Sequence, residues 1–282
     1  MSKSLRLNTF GAMGLLVALT SMPHQASADA GLQSLLERKA ATIERLHFKA
    51  KKALVTAAQD ETFAQYHYAH SDEEKTTHKS KIDQISLSVQ DRFQVEEMCL
   101  IDPNGAEISR IVGKKIADDL AEDEASASFF APGFAAAPRK VHVSPTYMSA
   151  DADKWVVAYV TPLVVDGKKT SILHYEHTLA VYQTALNRDM ADSGSVMLAV
   201  DADGYIVSDS RADIAIDIKD GAEDRKTYFK HFDLAGMSLD DVRKSLGSDR
   251  AKGSGTITAS GKAYDVAYKA VGDWTIVAIK GL

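Results

Sequence analysis

Met98-Cys-Leu-Ile-Asp-Pro-Asn-Gly-Ala-Glu-Ile-Ser109 and Met197-Leu-Ala-Val-Asp-Ala-Asp-Gly-Tyr-Ile-Val-Ser208 share one form. Each is an apolar run, Asp, two turn residues, Gly, apolar residues and Ser. Asp102 and Gly105 fall in the register of Asp201 and Gly204. Pro suits the second position of a turn and Gly a position with positive φ, so the first copy predicts a β-hairpin and the second follows it. A second echo trails each copy. Trp155–Leu163 leads into Ser171–Glu176, and Tyr264–Val271 leads into Trp274–Ile279. The order hairpin, helical insert, antiparallel strands thus occurs twice, and the chain divides into two tandem modules.

The strand connections are too short for crossovers between neighbouring parallel strands. Asp166-Gly167 is a hairpin signal, and Gly261 and Gly272-Asp273 mark two more turns. The fold class is therefore α+β, with mainly antiparallel sheets and helices on one face. Ahead of the first copy the pattern is helical. Leu32, Leu35, Leu36, Ile43, Leu46 and Leu54 recur at helical spacing up to Ala58. Ser71-Asp-Glu-Glu74 reads as a capping box opening a helix that continues through Ile82, Ile85, Val89 and Phe93. The stalk is one long helix, or two with a break near Asp60 or Ser71. An acidic helical stretch is expected within Lys115–Phe130, a connecting helix over Thr178–Met190, and short helices over Glu223–Leu234 and Ser238–Leu246. The boundaries are 1–28, a signal peptide; 29–93, a helical stalk; 94–190, the first module; and 191–282, the second.

A chain of 282 residues suits two modest domains. Its net charge of −6 gives a nucleic-acid role no electrostatic support. The single cysteine, Cys99, excludes an intramolecular disulfide and reads as an inert core thiol. Lys3 and Arg6, the apolar run Phe10–Thr20 and the small residues Ala26-Ser-Ala28 form a secretory signal peptide. The run is too short to span a bilayer. Cleavage near Ala28 would leave a soluble chain outside the cytoplasm, which in a bacterium means the periplasm.

A helical stalk followed by two PAS-like modules outside the membrane resembles the double Cache (dCache, PDC-like) sensor domain. The resemblance covers residues 32–282. It rests on the two Asp-x-x-Gly hairpins, Val143–Tyr147, Val157–Leu163 and Ser171–Leu179, taken in order. It implies a freestanding secreted sensor that binds a small polar organic molecule in the first, membrane-distal-type module, and no catalysis. In amino-acid-binding members a Tyr-x-Asp stretch and a later strand Asp hold the ligand amine. The matching positions here are Tyr147-Met-Ser149 and Glu176. No Arg-x-Trp-Tyr motif is present to hold a carboxylate; the region reads Ser126-Ala-Ser-Phe-Phe130. Bidentate guanidinium is the natural carboxylate reader, so the pattern departs from a conventional amino-acid sensor.

His174 and Glu176 are two apart on one strand and share a face. His142, on another strand, joins them as an outer candidate. Two His and a carboxylate could hold a divalent metal, but nothing in the sequence fixes the distance between strands, so no metal or cofactor is expected. Trp155 and Tyr159 share a face of their strand and complete the candidate lining: Tyr147, Trp155, Tyr159, His174, Glu176 and His142. There is no nucleophile elbow and no phosphate-binding Gly loop, so no enzyme activity is expected. The alternative is an interaction module whose stalk docks on a membrane receptor or sensor kinase, or pairs with a second copy as a homodimer. By rough alignment the second module places Lys280 near the position of Glu176.

Overall fold

A computed structural model of the chain describes residues 29–93, 95–190, 193–212 and 225–281. The expected signal peptide lies outside the described residues, as does the start of the Glu223–Leu234 helix. The stalk, expected as one helix or as two with a single break, is broken near both Asp60 and Ser71, into α1 (Ala30–Ala57), α2 (Glu61–Tyr68) and α3 (Asp72–Phe93). Asp29 and Asp60 cap α1 and α2 by accepting from Gly31 N and Thr62 N at 2.8 and 2.9 Å. Ser71 Oγ accepts from Glu74 N at 3.2 Å, and Glu74 reaches back to His70 N at 2.8 Å.

The first module contains β1 (Glu97–Ile101), β2 (Glu107–Val112), β3 (Lys115–Ile116), α4 (Phe130–Ala135), β4 (His142–Val143), β5 (Tyr147–Ser149), β6 (Lys154–Val165) and β7 (Lys168–Thr178). Its sheet runs β3-β2-β1-β7-β6-β4, with β5 also on β6. The expected helix within Lys115–Phe130 is not there. That stretch holds β3, loop and a 3-10 turn, Glu124–Ser126. Tertiary bonds override its helix propensity: Arg110 grips the Asp119 carboxylate at 2.8 Å and Ala121 N donates to Glu107 at 2.6 Å. Helix α5 (Leu179–Asn187) leads to the second module, β8 (Ser195–Val200), β9 (Ile206–Asp209), α6 (Arg225–Tyr228), α7 (Leu239–Ser245), β10 (Lys252–Ala259), β11 (Lys262–Val271) and β12 (Trp274–Lys280). Its sheet runs β10-β11-β12-β8-β9. Every strand pair in both sheets is antiparallel.

The repeat holds in atomic detail. Asp102 Oδ1 accepts from Asn104 N and Ala106 N at 2.8 and 2.9 Å; Asp201 Oδ1 accepts from Asp203 N and Tyr205 N at 3.0 Å each. Gly105 and Gly204 adopt φ of +93° and +87°, a region closed to most residues with a Cβ.

One hydrophobic core joins the modules. The buried stripe of α1, with Leu32, Leu36, Ala40, Ile43, Ala50 and Leu54, packs on the back faces of both sheets. From the first sheet come Met98, Leu100, Trp155, Tyr159 and Tyr175; from the second, Met197, Ala199, Ile276 and Ala278. The apolar stripe of α1 is thus covered by the chain's own sheets, while Phe48, on its outer side, stays exposed. Lys39 locks α1 to α5 by donating to the carbonyls of Ala185 and Arg188. Among the described residues, no helix is long and apolar enough to cross a membrane.

Candidate functional site

The two sheets treat the same four positions in opposite ways. In the first, Glu97 faces Glu176 and Cys99 faces His174 across the β1–β7 pair. Alternation puts all four on the front face, away from α1. With Met98 matched to Met197, their counterparts are Val196 facing Ile279 and Leu198 facing Val277 across β12–β8. Those residues belong to an ordinary apolar core beneath α7. The position matching Glu176 is therefore Ile279, one residue before Lys280. Where the second module buries hydrocarbon, the first buries two carboxyls, a thiol and an imidazole, each at most 4% exposed. Burying such groups carries a cost of several kcal/mol that packing alone gives no reason to bear.

Three of the expected site residues meet here. The Tyr147 hydroxyl donates to Glu176 Oε1 and lies 3.1 Å from His174 Nε2. Ser149 Oγ donates to Glu97 Oε2 at 3.3 Å, and Cys99 Sγ donates to Glu97 Oε1 at 2.8 Å. Phe129 stacks on His174, with ring centroids 4.1 Å apart and planes 20° from parallel, and roofs the group. His174 Nδ1 and Glu176 Oε2 are buried without a hydrogen-bond partner. On the β2 side, Arg110 faces Cys99 in register and is held by Asp151 at 2.9 Å and Glu107 at 3.5 Å.

Burial sets the charge state. It pushes Glu97 well above the usual carboxyl range, with the Glu176 charge adding to the effect. Burial likewise raises Glu176 to about 7, against the hydrogen bond from Tyr147 that lowers it. His174 falls to about 3 through burial, and the Cys99 thiol is raised, again first by burial. The face is rich in carboxyls, and its cation, Arg110, is already engaged by Glu107, Asp119 and Asp151.

The other expected lining residues lie elsewhere. Trp155 and Tyr159 are on the back face. Trp155 packs on Tyr228 and Phe229 of the second module, at 5.1 and 4.7 Å between centroids. The Tyr159 hydroxyl bonds His47 Nδ1 at 2.6 Å and also the Tyr182 hydroxyl. His142 lines a cavity of about 460 Å³ between α1 and the two sheets, with His47, Lys51, Arg225 and Trp274. Sequence reasoning missed Glu97 and the role of Cys99, and named Ser149 only as part of the Tyr147-Met-Ser149 stretch. Alternation alone places Glu97 on the face of Cys99; what was lacking was the β1–β7 register that sets them against Glu176 and His174.

No protein-family profile matches the chain, and no curated protein matches it in sequence. Solved structures do match in fold. The sensory domain of the Campylobacter jejuni chemoreceptor Tlp3, with isoleucine bound, superposes with a TM-score of 0.67 at 13% identity, covering 89% of this chain and 91% of that one. The extracellular domain of vpHK1S-Z8 gives 0.65 at 13%, covering 88% and 93%. The ligand-binding domain of the Pseudomonas aeruginosa PAO1 amino-acid chemoreceptor PctB, in complex with L-Arg, gives 0.57 at 15%, covering 89% and 93%. The chain thus has the double Cache-like fold of bacterial sensory domains.

Proposed function

We propose that the chain is an extracytoplasmic sensor module that binds a small, polar, positively charged ligand on the front face of its first sheet, without catalysis. The observation that carries this reading is the contrast between the two sheets. Glu97, Cys99, His174 and Glu176 stand where the second module has Val196, Leu198, Val277 and Ile279. A cation entering that face would meet the carboxyls of Glu97 and Glu176, with the Tyr147 hydroxyl orienting Glu176. The solved domains of similar fold with isoleucine and L-Arg bound support a ligand bearing an amino group. Both terminal nitrogens of Arg110 are paired with carboxylates and only Nε is unpartnered, so it has no free two-pronged grip for a ligand carboxylate, which favours amines over amino acids.

A thermal-shift screen of amines and amino acids against the mature chain tests the reading. A ligand at 100 times its Kd stabilises the native state by about 2.7 kcal/mol. Amines should raise the melting temperature, and Glu176→Gln should remove the effect. A ligand whose shift is the same in wild type and Glu176→Gln binds somewhere else and sinks the assignment.

A further inference from the structure

We propose that the cation taken by the first module is a divalent transition-metal ion of the zinc class, bound by Glu97, Cys99 and His174, with Glu176 beside them. The inference rests on the reading of this face as the cation site and puts a metal ion there in place of an organic amine.

Geometry comes first. One donor atom each from Glu97, Cys99 and His174 lie within 4.8 Å of one another, and all three residues are buried. Tetrahedral donors about 2.0–2.3 Å from zinc sit roughly 3.5 Å apart, so a modest contraction closes the set. Glu176 lies outside that trio but adjoins it: its Oε1 is 3.6 Å from His174 Nε2, both against the Tyr147 hydroxyl, and its Oε2 has no hydrogen-bond partner. All four side chains come from two paired strands, two apart on each, so the framework that holds them is rigid.

Donor chemistry discriminates next. A protonated amine would be satisfied by carboxylates and gains little from a thiol. Thiolate, imidazole and carboxylate together are the donors of zinc and its neighbours. Two donors are already waiting: His174 Nδ1 and Glu176 Oε2 are unpartnered on residues 1% and 2% exposed. The ligands also have the supports that metal sites need. Tyr147 bonds both His174 and Glu176, Ser149 bonds Glu97, and Phe129 lies over the imidazole. A second oxygen-rich trio, Glu97, Glu107 and Asp151, does not compete, because Arg110 already pairs with Glu107 and Asp151.

The test is a cobalt titration of the chelator-stripped mature chain, followed by zinc competition, with the amine screen run in parallel. The expected result is one ion per chain and a sulfur-to-cobalt charge-transfer band, displaced by zinc. Cys99→Ser should abolish the band. Glu97→Gln keeps the thiol and should weaken binding at least tenfold, which covers the case in which Cys99→Ser fails to fold. Cobalt binding without the band, or binding unchanged in Glu97→Gln, marks surface histidines and overturns the inference. A response to amines and none to metals overturns the metal and keeps the ligand site. No response to either overturns both.

Discussion

Glu97 stands directly opposite Glu176 in the antiparallel pair β1–β7, and both carboxyls are buried. Like groups across a strand pair repel once ionised. Glu176 is raised to about 7 by burial, above its unfolded value near 4.3. The folded state therefore holds a proton that the unfolded state has released. The stability this contributes is complete below about pH 4 and is lost as pH rises through 7. In the ion-free protein, raising the pH from 6 to 8.5 should cost of order 1 kcal/mol from Glu176, or a few degrees in Tm. Melting curves of Glu176→Gln over the same range should be flatter. An equal slope in the variant would assign the pH dependence to other groups.

Glu97→Val combined with Glu176→Ile installs the second module's residues in the first. Replacing buried polar or ionised groups with hydrocarbon of similar volume is often neutral or stabilising by about 1–4 kcal/mol. The double variant should fold, melt at or above the wild-type temperature at pH 7.5, and bind no cation. A variant that melts several degrees lower would mean that the carboxyls hold the sheet together rather than serve a ligand.

The hairpins were legible because their chemistry is local. Asp166 and Gly167 take φ of +51° and +76°, as an Asp-Gly turn requires, and the capped starts of the stalk helices follow from neighbouring residues. The acidic stretch after Lys115 was not legible, because Arg110 and Glu107, on a strand, decide its path. The site was half legible for a similar reason. Val165 pairs with Lys168 and Val164 with Lys169, but Leu163 then pairs with Ser171. The one extra residue, Thr170, flips the parity of the two strands beyond it. Without it, Tyr159 would face His174; with it, Tyr159 faces Tyr175 and turns to α1. A bulge of one residue thus removes Trp155 and Tyr159 from the lining, and no pattern of residue types announces it.

The chain His47–Tyr159–Tyr182 links α1 to the first sheet and α5 through buried hydroxyls. His47 is lowered to about 3, mainly by burial, with the nearby Lys51 charge and His177 adding to it. A depressed histidine favours folding above its unfolded pKa near 6.5, and that stability is lost as pH falls toward 3. At pH 5 the loss from His47 alone is roughly 2 kcal/mol relative to pH 7.5. His47→Gln keeps one hydrogen bond to Tyr159 and cannot take up a proton. It should be less stable than wild type at pH 7.5 yet lose less between pH 7.5 and 5. Denaturant melts at the two pH values measure the difference, and parallel losses would show that His47 is not the acid-sensitive group.

The paired glycines give the sharpest test of how far the two copies have diverged. Gly105 and Gly204 share a backbone conformation, so Ala at either position bears a left-handed penalty of about 1–2 kcal/mol. Their surroundings differ. A Cβ on Gly204 would meet only His231 Nδ1, at 3.4 Å. A Cβ on Gly105 would lie 2.3 Å from the backbone nitrogen of Ala125, which cannot yield without moving the 3-10 turn. That turn is tied to the hairpin by Glu124 N donating to Gly105 O at 3.0 Å, and it leads directly into Phe129, the roof over His174. Overpacking adds about 1–3 kcal/mol to the backbone term. Gly105→Ala should therefore destabilise by about 2–5 kcal/mol and weaken cation binding, whereas Gly204→Ala should cost about 1–2 kcal/mol and leave binding unchanged. Urea melts and a binding titration on the two variants check both halves. Equal costs, or a binding defect in Gly204→Ala alone, would mean that the contact between the first hairpin and the 3-10 turn does not shape the site.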